Sequence, residues 1–326
     1  MLLPSPEVFD ERNTPEDTRK LNEEIIATSE AAPDMWQFDV NDVRQARRDG
    51  KGIFPLEAYD ETAENFHIDG PSGEPLMLRA IQPEAGGDTR GVFLHFHGGG
   101  WMYGACDLQD QRLKQLANET NLTVVSVEYR LSPENPYPAA CDDGEQAARW
   151  LIEEGADKFN TDFLAIGGES AGGHLAVNAL LRLRDKHSLN RFSAAVLVAG
   201  AFDMTQTPSG RNFHDKLVLT TRDINNFGNA FLVGDDVRSD LKDPDLSPLY
   251  ADLTDMPPAH FSVGTRDALL DDSLFMANKW VQHQSDVELD VYTGACHVFQ
   301  YFDTLKQSQE SRKKISNFLN RLISNS

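Results

Sequence analysis

Ser170 lies inside Gly168-Glu169-Ser170-Ala171-Gly172, a Gly-x-Ser-x-Gly pentapeptide set between the apolar run 163–166 and an Ala/Leu-rich stretch from 171 to 184. A serine held on a sharp strand-to-helix turn presents its hydroxyl for attack on an acyl carbon. Glycines at i−2 and i+2 remove the side chains that would collide with neighbouring backbone at such a turn. The chemistry on offer is nucleophilic acyl transfer; the plainer alternative is a glycine-rich turn whose serine caps the next helix. Leu175, Ala179 and Leu183 recur along one face and predict that helix over 171–185.

Acyl transfer also requires donors for the oxygen that becomes negative in the tetrahedral intermediate. His97-Gly98-Gly99-Gly100-Trp101 follows the apolar run 92–96, and its glycines let backbone N–H groups approach such an oxygen without a Cβ in the way. A phosphate-binding loop would carry Lys-Ser/Thr after its last glycine, whereas Trp101-Met102 follows here. His95 and His97 would share one strand face, yet no third ligand stands near them in sequence, so no metal site is expected.

A base and an acid must come from further along the chain if the order is serine, acid, histidine. Of the nine histidines, only His283 and His297 follow a plausible acid. His283 falls in the helix-like 273–284, whereas His297 follows the alternating run 287–292 and so sits on a loop at a strand's end, where sites on parallel sheets assemble. Asp267 follows the strand-like 260–263 directly and is the candidate acid. Asp271 and Asp272 are rivals, but their place before the next helix is also explained by capping and by the helix dipole.

Six segments in fixed order carry a family resemblance: His97 to Trp101, Glu128-Tyr-Arg-Leu-Ser-Pro-Glu134, Gly168 to Gly173, Ser247-Pro-Leu249, Asp267 to Asp272, and Cys296-His-Val-Phe299. Together they make the chain similar to the hormone-sensitive-lipase-like esterases, the bacterial family IV of the α/β-hydrolase superfamily. The resemblance spans roughly residues 90 to 300. It implies Ser170 as nucleophile, His297 as base, Asp267 as acid, and an oxyanion hole from the N–H groups of Gly99, Gly100 and Ala171. It implies hydrolysis of carboxylic esters through an acyl-enzyme, with no metal or organic cofactor. An amidase or N-deacetylase would use the same residues, and a hormone-receptor-like binding protein on this scaffold would be expected to lack one of the three. Glu128 and Glu169 stand where the family commonly carries aspartate, and Val298 takes the place of its usual glycine.

The elements that must position these residues follow from the patterning. Strand-like runs begin near Asn65 and recur at 76–81, 91–96, 122–128, 163–167, 194–199, 260–263 and 287–292. Helical patterns fall between most of them, at 109–120, 139–154, 171–185 and 273–284, with a last one at 308–323. That alternation means a mostly parallel sheet covered on both faces. With the resemblance, it predicts an eight-stranded α/β-hydrolase sheet with a helical cap. Residues 61–202 and 257–326 would form the catalytic domain. Residues 1–60 and the insert 203–256 would form the cap over Ser170, with helices at 211–219 and 222–232. About sixty residues between consecutive strands is too long for an ordinary connection. Trp101 and Tyr103 beside the glycine loop, with Phe202 and Phe299 beyond later strands, are candidates to line the substrate pocket; each also reads as core.

Composition excludes more than it specifies. A net charge of −22 argues against binding nucleic acid or an anionic membrane through bulk electrostatics. Cys106, Cys141 and Cys296 cannot form a complete disulfide framework and suit a reducing compartment. Cys296 adjoins His297, but a sequence neighbour usually points elsewhere. No signal-like start and no apolar run near the ~20 residues of a spanning helix is visible, so a cytoplasmic protein is expected. An enclosed cap without an apolar lipid-docking helix favours small soluble esters or lactones. The resemblance extends to homodimers formed through sheet edges or C-terminal helices; oligomeric state itself has no signature here.

Overall fold

Eight strands form one sheet in the order β1-β2-β4-β3-β5-β6-β7-β8. They are β1 (Glu64–Asp69), β2 (Pro75–Ile81), β3 (Val92–Phe96), β4 (Thr123–Val127), β5 (Leu164–Glu169), β6 (Ala194–Val198), β7 (Ala259–Arg266) and β8 (Val287–Cys296). The first two pair antiparallel with each other, and β2 pairs antiparallel with β4; every later pairing is parallel. The computed structural model describes residues 4–234, 239–283 and 286–325. Residue 284 of the expected helix 273–284, residues 235–238 of the expected insert and the extreme termini lie outside the described residues.

The helices used below are α1 (Glu16–Ala31), α2 (Val40–Arg48), α3 (Asp110–Thr120), α4 (Ala139–Trp150), α5 (Ala171–His187), α6 (Thr221–Phe231), α7 (Leu270–Gln282) and α8 (Lys306–Ile323). Alternation along the strands feeds two cores, as the twofold side-chain period demands. Val92, Leu94 and Phe96 of β3 join Leu175 of α5 and Met276 and Trp280 of α7 on one face. Phe93, Val124 and Val196 join Leu113 of α3 and Phe318 and Leu319 of α8 on the other. Burying both faces is what a central parallel sheet requires, and it explains the nearly unbroken apolar runs.

Several expected boundaries shift. The helical pattern 139–154 breaks after Trp150 into one π turn, Leu151–Gly155. The helix expected at 211–219 is absent: a short helix at Pro208–Arg211 gives way to a loop. Thr220 is the N-cap of α6 and closes a reciprocal capping box with Asp223, which holds Thr220 extended and prevents a continuous helix across it. Upstream, Val218 adopts φ 67° and Phe213 exchanges hydrogen bonds with Thr221, closing the loop on itself.

The N-terminal helices and the insert meet above the sheet's carboxyl edge. The Trp36 indole N–H donates to Asp223 at 2.7 Å, its ring packs edge-on against Phe227, and Arg222 pairs with Asp34.

Candidate active site

Ser170 is the hinge between β5 and α5, at φ 57° and ψ −120°. A non-glycine residue held there stores about 1–3 kcal/mol of backbone strain. The surroundings enforce it: Ser170 N–H donates to the Val198 carbonyl at 2.9 Å, and its carbonyl accepts from Ala201 and His174. Gly168 and Gly172 are obligatory, since a Cβ on either would stand 2.2 Å or 1.9 Å from the Phe96 carbonyl oxygen.

Asp267 and His297 are brought together by strand register. Arg266 and Cys296 pair across β7 and β8, so the next residue of each strand emerges side by side. Reaching that pairing requires an irregularity after Gly264, where a Cβ would stand 2.0 Å from the Ala295 carbonyl oxygen. His297 Nδ1 lies 3.0 Å from each Asp267 carboxylate oxygen, and Nε2 lies 3.0 Å from Ser170 Oγ. A carboxylate only accepts, so this contact fixes the tautomer with Nδ1 protonated and leaves the Nε2 lone pair towards the serine hydroxyl. The Leu269 N–H also donates to Asp267, and both Asp267 and His297 are buried.

The rival residues lie elsewhere. Asp271 accepts from the Ser209 N–H; Asp272 accepts from the N–H groups of Phe202 and Asp203 and from the Thr207 hydroxyl. The two tie the insert to α7 rather than capping α7, whose N-cap Leu269 makes no side-chain bond. His283 faces Thr254 and Asp252 at the far end of α7. Cys296 is buried, and burial followed by the nearby Asp267 pushes its thiol up to about 12, which leaves it inert at neutral pH. Val298, in place of a glycine, sits in the left-handed region at φ 47° beside His297.

The glycine loop after β3 is built around close approaches. Gly99 (φ 125°) and Gly100 (φ 62°) are left-handed, and a Cβ on Gly100 would stand 2.4 Å from the Phe227 ring of α6. Among the described residues, the N–H groups of Gly99, Gly100 and Ala171 donate to no protein acceptor; Ala171 opens α5, whose first N–H groups lack intrahelical partners. The loop is anchored from beneath by Glu169, which accepts from the Gly98 N–H, Tyr301 and Gln109 and faces His95. Burial alone would raise this carboxyl, but the His95 ring and these donors outweigh it and hold the group at about 2. His95 is thereby occupied by Ser126 and Glu169, and His97 stacks on Tyr129. The longer Glu128 reaches the Cys106 N–H. From above, Arg44 of α2 donates to the carbonyls of Met102 and Ser132 and pairs with Glu134, while Arg47 lies over the Tyr103 ring.

A cavity of about 340 Å³ opens over Ser170, with Gly100 and Ala171 in its wall. Trp101 lines it, stacked at 4.5 Å on Phe231 and donating to His174. Tyr103, Phe202 and Phe299 do not line it and are corrected to core positions. Tyr103 packs between Trp36 and Phe227, Phe202 against Phe261, and Phe299 against Tyr292. The cavity's other walls come mostly from the insert, including Met204, Leu219, Ile224 and Gly228, with Ala201, Leu269 and Asp272 completing them. Spacing alone gave no signal for these. Burial raises the Asp272 carboxyl to about 7 despite its three donors.

Residues 93–301 match the family described as the α/β-hydrolase fold. The chain is 36% identical over 215 residues to carboxylic ester hydrolase LipN of Mycobacterium tuberculosis; the match covers 64% of this chain and 56% of that protein's length. It is 28% identical to an acetyl esterase of Salmonella schwarzengrund, with 82% of each chain covered. A solved structure described as a hormone-sensitive lipase from a metagenome library superposes with a TM-score of 0.80 at 28% identity, covering 95% of this chain and 100% of that one. The chain belongs to the hormone-sensitive-lipase-like family of α/β hydrolases.

Proposed function

We propose that the protein is a serine carboxylesterase that hydrolyses small carboxylic esters or lactones. The observation that carries this reading is the continuous hydrogen-bonded chain from Ser170 Oγ through His297 to Asp267 at the mouth of a cavity. In this mechanism His297 Nε2 takes the Ser170 proton as Oγ bonds to the ester carbonyl carbon. Asp267 keeps the imidazole oriented and stabilises the imidazolium. The carbonyl electron pair moves onto oxygen, which the N–H groups of Gly99, Gly100 and Ala171 would receive. Collapse breaks the bond to the alkoxy oxygen, which leaves with the proton from His297. Water then attacks the acyl-enzyme, giving a proton to His297, and expulsion of Ser170 Oγ with that proton releases the acid.

The insert acts as the cap in this reading, since its residues wall the cavity, and the N-terminal segment backs it through Trp36 against Asp223 and Phe227. Relatives named carboxylic ester hydrolase and acetyl esterase support the ester substrate class. No helix among the described residues is long and apolar enough to cross a membrane. Three buried free thiols fit a reducing compartment, and we place the protein in the cytoplasm on that ground. The test is hydrolysis of p-nitrophenyl esters beside matched anilides, with covalent labelling by a fluorophosphonate. Labelling with ester turnover supports the esterase; faster anilide cleavage points to an amidase; no labelling overturns the enzyme reading.

A further inference from the structure

The insert reaches the cavity through one face of α6. Ile224 and Gly228 recur at helical spacing, Leu232 follows one turn later, and all three line the cavity; Phe227 beside them is pressed against Gly100. Gly228 differs in kind from Gly100, Gly168 and Gly172. Gly100 is left-handed, and Gly168 and Gly172 are hemmed in by backbone, so each needs its missing side chain. At Gly228 the backbone is ordinary helix, and a Cβ would meet nothing within 4 Å. Glycine inside a helix weakens it relative to alanine. Neither conformation nor packing therefore requires glycine here. What its missing side chain leaves is open volume in the cavity that contains Ser170.

We propose that Gly228 sets the size of the ester group this site accepts. The space before it takes an apolar chain longer than acetyl, flanked by Ile224, Leu219 and Leu232. The inference rests on the esterase reading and deepens it. A side chain at 228 would occupy volume that the ester group uses in the transition state. The loss then falls on large substrates and grows with the size of the replacement.

The test uses the full chain as wild type, Gly228→Ala and Gly228→Leu. One substrate series lengthens the acyl group of p-nitrophenyl esters from acetate to octanoate; the other lengthens the alcohol of acetate esters. Removing room for one methylene is worth about tenfold or more in such pockets. The expected result is that Gly228→Leu lowers the long-to-short ratio of kcat/KM by at least that factor in one series. Gly228→Ala should shift the same ratio in the same direction by less, with a Tm equal to or above wild type. The alanine variant keeps the test decisive if the leucine variant folds poorly. Unchanged ratios in both series, with wild type active on esters, overturn the role of Gly228 alone. No ester turnover by wild type overturns the esterase reading and this inference with it.

Discussion

Ser170 Oγ and His297 Nε2 stand 3.0 Å apart although 127 residues separate them in the chain. β5 delivers one and β8 the other, and two strands, β6 and β7, lie between them in the sheet. The contact is therefore a property of the whole sheet. Replacing Ser170 with alanine removes the hydroxyl proposed as nucleophile without altering the backbone, because alanine and serine pay the same cost at φ 57°. Ser170→Ala is expected to abolish ester turnover and fluorophosphonate labelling while leaving the circular dichroism spectrum and Tm at wild-type values. Residual turnover above a few parts in a thousand would assign the attack to another group.

Asp267 receives His297 Nδ1 on both oxygens and the Leu269 N–H on one. Asp267→Asn keeps the shape but offers an amide N–H₂ to the ring, favouring the tautomer with Nε2 protonated, which cannot take the serine proton. The expected loss in kcat is as much as about 10⁴-fold. A nearly neutral result in steady-state kinetics would show that the acid acts from another position.

The sequence made the central geometry legible because close approaches leave glycines and strand ends leave chemistry. Gly168 and Gly172 mark the elbow, and Gly99 and Gly100 mark the loop that faces it. The alternating pattern ends at 263 and 292, short of the true ends of β7 and β8, because Gly264 and Gly294 interrupt it. Those glycines mark the irregularity that aligns Arg266 with Cys296. What was not legible depends on pairs distant in sequence. Phe227 over Gly100 and Asp272 beneath Phe202 are such pairs, and neither leaves a periodic trace. The aromatic residues Tyr103, Phe202 and Phe299 looked alike as pocket or core, because an apolar ring suits both; only their neighbours decide.

Gly172 makes the elbow's packing testable apart from its chemistry. Its Cβ position lies 1.9 Å from the Phe96 carbonyl oxygen and 2.8 Å from that of His97, so even a methyl group must push β3 away from α5. Gly172→Ala is expected to destabilise the fold by at least about 1–3 kcal/mol. Chemical denaturation monitored by tryptophan fluorescence reads this directly, and an unchanged midpoint would contradict the close approach.

Glu169 is held at about 2, below the range of an unfolded glutamate. A depressed carboxyl stabilises the fold above its unfolded value, near 4.3, and loses that contribution as pH falls towards 2. Glu169→Gln removes the charge that faces His95 and the Gly98 N–H. The variant is expected to lose about 1.5–3 kcal/mol at pH 7, the usual worth of a hydrogen bond to a charged group. The gap to wild type should narrow between pH 5 and pH 3. Denaturant midpoints measured at both pH values check the sign, and a gap that widens in acid would reverse the assignment.

Asp272 behaves in the opposite sense. Burial raises its carboxyl to about 7, so between roughly pH 4 and pH 7 the folded protein retains a proton that the unfolded chain has released. Its stabilising contribution is complete below the unfolded value and declines as pH rises through 7. Asparagine reproduces the protonated form: one oxygen still accepts from Phe202 and Asp203, and the amide donates to the Thr207 oxygen in place of the acid proton. Asp272→Asn should therefore fold, and its stability relative to wild type should improve from pH 4.5 to pH 8. Guanidinium midpoints at those two values provide the comparison. A relative stability that falls over the same interval would mean that Asp272 is ionised throughout, with its three donors outweighing the cost of burial.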